Sequence, residues 1–486
     1  MILSTLLKNI DYKLVKGSAE VEISDVVYDS RKAAKGTVFV ALKGYNVDAH
    51  RFIPMAVEKG ASAVVLSDEA EIPEEVTVIK VDDTRKALAY MSAVLFGEPA
   101  NELTTIALTG TKGKTTTVAM LKSILEAEGL KVGTIGTLGI IIGEKIYKTN
   151  NTTPESYEIQ QAMRKMADNG CNAMIIEASS LGLKWHRTDA INFDYGVFTN
   201  FSHDHIGDSE HKDLEEYLAC KALLFKQCKH GVFNIDDNVY EEISRGAVCD
   251  KTTFGFSENA DLTAYGDKLI SRPGYIGVHF SSKGLKTLEV DVAIPGRFSV
   301  YNALAAMAVS IKMGISEKAI LAGLDNVKVK GRVEAVPVPG NYTLLIDYAH
   351  NALSMENILT TLREYNPNRL IVLFGAGGNR PKVRRYEMGE TAGRLADLSV
   401  LTEDNSRDED VKDIINDIIE GGISKTNGKY VVVPKRRDAI RYCMENAQDG
   451  DIIVLAGKGH EDYLEIKGVK YHLDEREIIA GIVASM

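Results

Sequence analysis

Residues 104–130, TTIALTGTKGKTTTVAMLKSILEAEGL, read as a strand, a glycine turn and a helix in immediate succession. TTIAL is an apolar run of strand length, while Val118, Leu121, Ile124 and Leu125 recur at helical spacing, with Gly110 and Gly113 between the two. A turn that ends a buried strand and opens a helix aims backbone N–H groups and the positive end of the helix dipole at a phosphate. Gly110, Thr111, Lys112, Gly113, Lys114, Thr115 and Thr116 are therefore the candidates for holding ATP. In that role Lys114 offsets phosphate charge, and the Thr115 hydroxyl suits Mg²⁺. The spacing is shorter than GxxxxGK[ST], so the loop is not the common one.

Outward from this loop the α/β pattern continues. AMIIEAS and YGVFTNFS read as further buried strands, which makes the centre of the chain a doubly wound, mostly parallel α/β domain. Before it, TVFVALKG, ASAVVLS and VTVIKV alternate with the helical stretch DTRKALAYMSAVLFG, up to turn residues near Pro99. After it, KVKGRVE marks a second junction, followed by YTLLIDYAH, RLIVLFGAGG, LSVLTEDN and IIVLAGKGHE. Each of these runs ends in polar or glycine residues, the place where ligands meet an open parallel sheet. The expected domains are 1–99, 100–330 and 331–486, the last of them Rossmann-like.

The 486 residues exceed what one core usually organises, which agrees with several domains. Hydrophobic residues at 45% and charged residues at 26% exclude a disordered or coiled-coil chain. A net charge of -11 argues against nonspecific nucleic-acid binding and makes local basic clusters informative, such as Arg380, Lys382, Arg384 and Arg385. By themselves those four read as a solvated loop. No apolar run is long enough to span a bilayer, the N-terminal stretch lacks the features of a secretory leader, and five scattered cysteines suit a reducing compartment. The expectation is a cytoplasmic protein that binds neither membrane nor nucleic acid.

TGTKGKTTT resembles the nucleotide loop of the Mur ligase and folylpolyglutamate synthetase superfamily. Further segments match in order: DSRKAAKGTVFVALKG (29–44), NNTTPE (150–155), IIEASSLGLKWHR (175–187), TNFSHDHI (199–206), YLACKALLF (217–225), DYAHN (347–351), GAGGNRPKVRR (375–385), EDNSRDED (403–410) and GKGHE (457–461). Together they are similar to the tripeptide-synthetase branch of the Mur ligases. That resemblance implies an ATP- and Mg²⁺-dependent ligase of peptidoglycan synthesis, and hence of cell-wall biogenesis, cell shape, division and cell cycle. Its substrates would be UDP-N-acetylmuramoyl-L-alanyl-D-glutamate and a free diamino acid, and the enzyme would be a monomer.

Site residues follow from the same resemblance. Lys114, Glu177, His205 and Lys221 would be catalytic; Thr115, Glu177, His205 and Lys221 would hold the metal, with Lys221 carbamylated. From its own sequence context Lys221 is a lysine among apolar neighbours that snorkels to the surface. Arg332, Asp347 and Asn351 would complete the ATP site on the third domain, although Asp347 and Asn351 also suit a strand-to-turn ending. Ser30, Thr152, Thr153, Ser179 and Arg187 would bind the UDP-linked peptide, with Leu181 and Trp185 standing where relatives usually have His and Gln. Arg385, Asp404, Asn405, Arg407, Gly457 and Glu461 would bind the amino acid. Arg407 favours meso-diaminopimelate over L-lysine, because a guanidinium pairs with the distal carboxylate and repels an ammonium. Within SRDED it also reads as an exposed salt-bridge residue. The alternatives are an L-lysine-adding ligase and a non-catalytic nucleotide-binding paralogue.

Overall fold

The computed structural model describes residues 1–44, 47–203, 206–207, 210–272 and 274–486. His205 of the expected metal set lies outside the described residues. The chain divides into two compact units, residues 1–263 with 304–320, and residues 264–303 with 321–486.

The first unit carries two sheets. In the N-terminal one, Asp25–Val27, Thr37–Val40, Ala63–Leu66 and Thr77–Lys80 run parallel, and Lys13–Lys16 closes one edge antiparallel. The TVFV and AVVL strands are buried at every position because the sheet is covered on both faces. Val38, Val40, Ala63, Val65 and Ile79 pack into the core on one side, and Phe39, Ala41, Val64, Leu66 and Val78 into the core on the other.

The second sheet is built around Thr104–Thr109, which pairs in parallel with Ala173–Glu177 on one side and Phe193–Phe198 on the other. Val132–Gly136, Cys228–Asn234 and Asp250–Gly255 extend it in the same direction. Gly139–Ile142 and Lys145–Tyr147 add an antiparallel edge. Helix Lys114–Ala127 buries Val118, Met120, Leu121, Ile124 and Leu125, which includes all four residues picked out by periodicity. Burial of each large aliphatic side chain contributes roughly 1.5–3 kcal/mol. The strand expected from YGVFTNFS stops at Phe198. Thr199 and Asn200 leave the ladder to hydrogen-bond with the neighbouring glycine turn.

In the second unit a six-stranded sheet has the order Glu334–Val336, Thr343–Asp347, Ile452–Ala456, Leu370–Phe374, Leu398–Leu401, Tyr430–Val432, parallel except for the first strand. Alternate residues again feed two cores, Leu345, Val372 and Phe374 into one and Leu344, Ile346, Ile371 and Leu373 into the other. Beneath its carboxyl edge lies a buried ion pair. Arg436 and Glu475 are both 0% exposed and 2.9 Å apart, and Arg436 also donates to the carbonyls of Glu403 and Ala456. No helix among the described residues is long and apolar enough to cross a membrane.

Removing one partner of such a pair leaves a buried charge without compensation. Arg436→Met is expected to lower unfolding free energy by about 3–5 kcal/mol. Urea melts would measure it, and a loss below about 1 kcal/mol would show that the pair is not braced as described.

Candidate functional site

Unit one brings most of its expected site residues to one edge. Gly110 opens the turn at φ +147, where a side chain would collide with the Thr199 hydroxyl. The loop is braced from outside its own sequence: Lys112 N–H donates to Asn200 Oδ1 (2.9 Å), Asn200 Nδ2 and Thr199 Oγ1 donate to Lys112 O (2.9 and 2.8 Å), and Thr111 N–H donates to Asn200 O (2.8 Å). Lys114 folds back over the turn, its ammonium 2.8 Å from Gly110 O and 3.1 Å from Thr111 O. A lysine so placed keeps its charge beside the glycine turn.

Glu177 is the last residue of its strand and is 2% exposed. Thr115 Oγ1 lies 3.0 Å from both of its carboxylate oxygens, Thr137 N–H donates to Oε1 at 2.9 Å, and Thr137 Oγ1 donates to Oε2 at 3.2 Å. Gly136 makes room for this, since a Cβ there would run into the Glu177 carboxylate. Thr153 Oγ1 bonds the Glu177 carbonyl (2.7 Å) and Ser179 Oγ (3.0 Å), Thr152 lies 3.4 Å from Thr137, and Arg187 donates to Thr153 O (2.9 Å). Thr152, Thr153, Ser179 and Arg187 thus form one network with Glu177. Ser30 is apart from it, with its hydroxyl turned to Met55 Sδ in the N-terminal layer.

Lys221 corrects the surface reading of its sequence context. It is 2% exposed, its ammonium donates to Gly110 O (2.9 Å) and stands 4.2 Å from the Tyr217 ring centroid, and the Tyr217 hydroxyl bonds Thr111 Oγ1 (3.2 Å). Helix Leu214–Ala222 turns this lysine toward the glycine turn, which the apolar neighbours alone could not reveal. Thr115 and Glu177 offer hard oxygen donors of the kind Mg²⁺ takes, so the residues present fit that ion. One further group of His and carboxylates lies among the described residues, Asp48, His50 and Asp68. His50 Nδ1 faces Asp48 (2.6 Å) and Nε2 accepts from Ser67 N–H (3.1 Å), so both ring nitrogens serve the N-terminal fold.

In unit two, a recess of about 130 Å³ at the carboxyl edge of the six-stranded sheet is lined by all six expected amino-acid residues, Arg385, Asp404, Asn405, Arg407, Gly457 and Glu461, together with Tyr348, His350, Arg380 and Arg384. The basic cluster read as a solvated loop is only partly one. Lys382, Arg384 and Arg385 lie on helix Lys382–Leu395, and Arg385 is 1% exposed, paired with Glu409 (2.7 Å) and Asp417 (2.8 Å). These carboxylates anchor Arg385, and its guanidinium, hydrogen-bonded to Glu409, holds that carboxyl below the usual carboxylate range. Arg384 donates to the His350 carbonyl, and among the described residues no carboxylate makes an ion pair with it.

Arg407 has φ +52. Its Nη1 donates to Gly378 O (2.7 Å) and its Nε is 3.3 Å from Glu465 Oε2, so it is a partly buried, oriented guanidinium that also has a salt-bridge partner. Lys458, fully buried and missed by the sequence reading although GKGHE contains it, donates to Asn405 Oδ1 (3.0 Å) and Glu461 Oε2 (2.7 Å). Asp347 takes N–H groups from Val333 and Ala349 (2.8 Å each), and burial pushes its carboxyl up. Asn351 caps helix Ala352–Arg363. Both therefore serve the turn, as their local pattern allows. Arg332 lies over the Tyr348 ring, 5.3 Å from its centroid.

Sequence comparison matches residues 22–94 to the Mur ligase family catalytic domain, 108–310 to the Mur ligase middle domain and 331–459 to the Mur ligase glutamate ligase domain. The UDP-N-acetylmuramoyl-L-alanyl-D-glutamate--2,6-diaminopimelate ligase of Caldanaerobacter subterraneus subsp. tengcongensis is 43% identical, over 100% of this chain and 99% of that one. The Clostridium perfringens protein of the same name is 39% identical over 99% of both chains. A solved structure of a ligase so named superposes with a TM-score of 0.76 at 27% identity, covering 100% of this chain and 99% of the other.

Asn200→Ala removes two of the bonds that brace Lys112. Amide exchange at residues 111–113 is expected to quicken about tenfold, a change of the size one or two hydrogen bonds produce. Unchanged protection would mean that the turn holds itself.

Proposed function

This chain belongs to the Mur ligase family, and we propose that it joins a diamino acid, meso-diaminopimelate, to UDP-N-acetylmuramoyl-L-alanyl-D-glutamate at the expense of ATP. The observation that carries this reading is the recess around Arg407 and Glu461, which offers oriented guanidinium groups and a carboxylate to an amino acid with charged groups at both ends. The names of relatives at 39% and 43% identity over essentially full length support the same substrates. The three larger sheets support a three-domain α/β ligase, whose limits we set at 1–99, 100–330 and 331–486. The enzyme acts as a cytoplasmic monomer in peptidoglycan synthesis.

In the reaction the peptide carboxylate attacks the γ-phosphorus of ATP, giving an acyl phosphate and ADP; the amine then attacks the acyl carbon and phosphate leaves. Gly110 to Thr116 cradle the phosphates with backbone N–H groups, and Lys114 offsets the charge gathering on the transferred group. Thr115, Glu177, His205 and a carbamylated Lys221 would hold Mg²⁺, which when bound neutralises phosphate charge. The tight bonding of Thr115 and Thr137 to Glu177 supports its role, because a ligand oriented in advance costs less to organise. Arg332, Asp347 and Asn351 serve ATP; Ser30, Thr152, Thr153, Ser179 and Arg187 serve the nucleotide-linked peptide. Asp404, Asn405 and Gly457 shape the amino-acid recess, Arg385 holds its wall, and Glu461 takes an amino group.

Lys221→Ala should be inactive and should regain part of its turnover when a short-chain carboxylic acid is added, the acid standing in for the carbamate. Phosphate release with and without acetate or propionate would measure this, and full activity without added acid would refute the carbamate.

Arg407→Ala is expected to lower kcat/KM for meso-diaminopimelate by about 10–100-fold, the worth of a charge-assisted bidentate contact, and to leave L-lysine little changed. Steady-state kinetics with both amino acids decide it. L-Lysine used as well as meso-diaminopimelate by the unaltered enzyme would overturn the choice of amino acid.

A further inference from the structure

Trp185 is the chain's only tryptophan, and it sits half-buried outside the core. The guanidinium of Arg85 lies over its ring, 4.3 Å from the centroid. Arg85 comes from the first turn of helix Thr84–Leu95 in the N-terminal layer, whereas Trp185 follows helix Ser180–Lys184 of the central sheet. Stacking on an indole holds the planar fork of an arginine in one orientation, which an ammonium could not reproduce.

The charges around this stack do not balance. Arg85 Nη1 is 3.2 Å from Glu155 Oε2, and Arg187 Nη2 is 2.8 Å from Glu155 Oε1. Among the described residues Glu155 is the only carboxylate within ion-pair distance of either arginine, so two guanidiniums share one negative charge. Asp83, the N-cap of the same helix, accepts from the backbone N–H groups of Arg85 and Lys86 and makes no ion pair with Arg85. All three side chains are less than a fifth exposed, so water screens the excess charge poorly. Burial lowers the pKa of Arg85; Arg187 adds to the effect, while Glu155 and, more weakly, Asp83 oppose it. An arrangement of this kind is completed by an anion. It is continuous with the segment assigned above to the nucleotide-linked peptide, because Arg187 donates to Thr153 O and Thr153 bonds Ser179.

We propose that Arg85, held flat by Trp185, binds an oxyanion of the UDP-linked peptide, either its diphosphate or a carboxylate, with Trp185 as the positioning residue; this rests on the function proposed above. Trp185 makes the site self-reporting. Titrating the full-length protein with UDP-N-acetylmuramoyl-L-alanyl-D-glutamate, without ATP, should change tryptophan emission saturably. Arg85→Gln should raise the dissociation constant about tenfold, with the kinetic loss in KM for that substrate and not in kcat, or in KM for ATP or the diamino acid. Arg85→Lys should fail to restore binding. UDP-N-acetylglucosamine, which has the diphosphate and no carboxylate, separates the two sources: weakened binding in Arg85→Gln assigns the contact to the diphosphate, and unchanged binding assigns it to a carboxylate. An unchanged dissociation constant for the full substrate in Arg85→Gln, while the unaltered protein turns it over, overturns the inference. So does an equal rise in KM for all three substrates together with a fall in melting temperature, the mark of a purely structural ion pair. An unaltered protein that neither binds nor turns over the substrate overturns the underlying function instead.

Discussion

A parallel sheet covered on both faces has one place where polar side chains can reach solvent without disturbing its core, the edge where the strands end. Both units obey this constraint. Glu177 and Asp347 are the last residues of central strands that are otherwise apolar, and the glycine turn after Thr109 and the segments after Leu401 and Ala456 start at the same edge. The chemistry of the protein is therefore gathered along two lines, one per unit, with mostly apolar packing behind them and the buried Arg436–Glu475 pair beneath the second.

At these edges, orientation is bought with hydrogen bonds from neighbouring segments. Glu177 is surrounded by hydroxyl and amide donors from the first turn of helix Lys114–Ala127 and from the turn after Gly136, and the phosphate turn is tied to Asn200, some ninety residues further along the chain. In the second unit Arg385 and Lys458 are buried cations whose carboxylate and amide partners hold the walls of the recess. A buried charge is tolerable only when paired in this way, which gives such residues a fixed geometry. Arg407 and Arg384 differ. They are oriented in part by carbonyl oxygens, which leave more of their charge available to a ligand than full carboxylate pairing would.

Much of this was readable from local pattern. Strand positions, the phosphate helix with its four apolar residues, and the second sheet followed from periodicity, because 2.0- and 3.6-residue repeats reflect which side of an element faces the core. The grouping of Arg385, Asp404, Asn405, Arg407, Gly457 and Glu461 followed from motif resemblance, and the recess brings them together. What local pattern could not carry was the environment of a single long side chain. Lys221 looked like a surface lysine because its neighbours in sequence are apolar on several sides. Its burial against Gly110 and Tyr217 depends on where its helix is laid across the sheet. Lys458, the supporting roles of Thr137 and Asn200, and the stacking of Arg85 on Trp185 have the same origin. Each includes a contact between residues at least forty positions apart in the chain, and no spacing rule within one element encodes such a pair. The sequence by itself determined the elements, the fold class and the chemical types at the strand ends. Only the tertiary structure decided which charges are paired and which are left for a ligand, because charge balance is a property of neighbours in space.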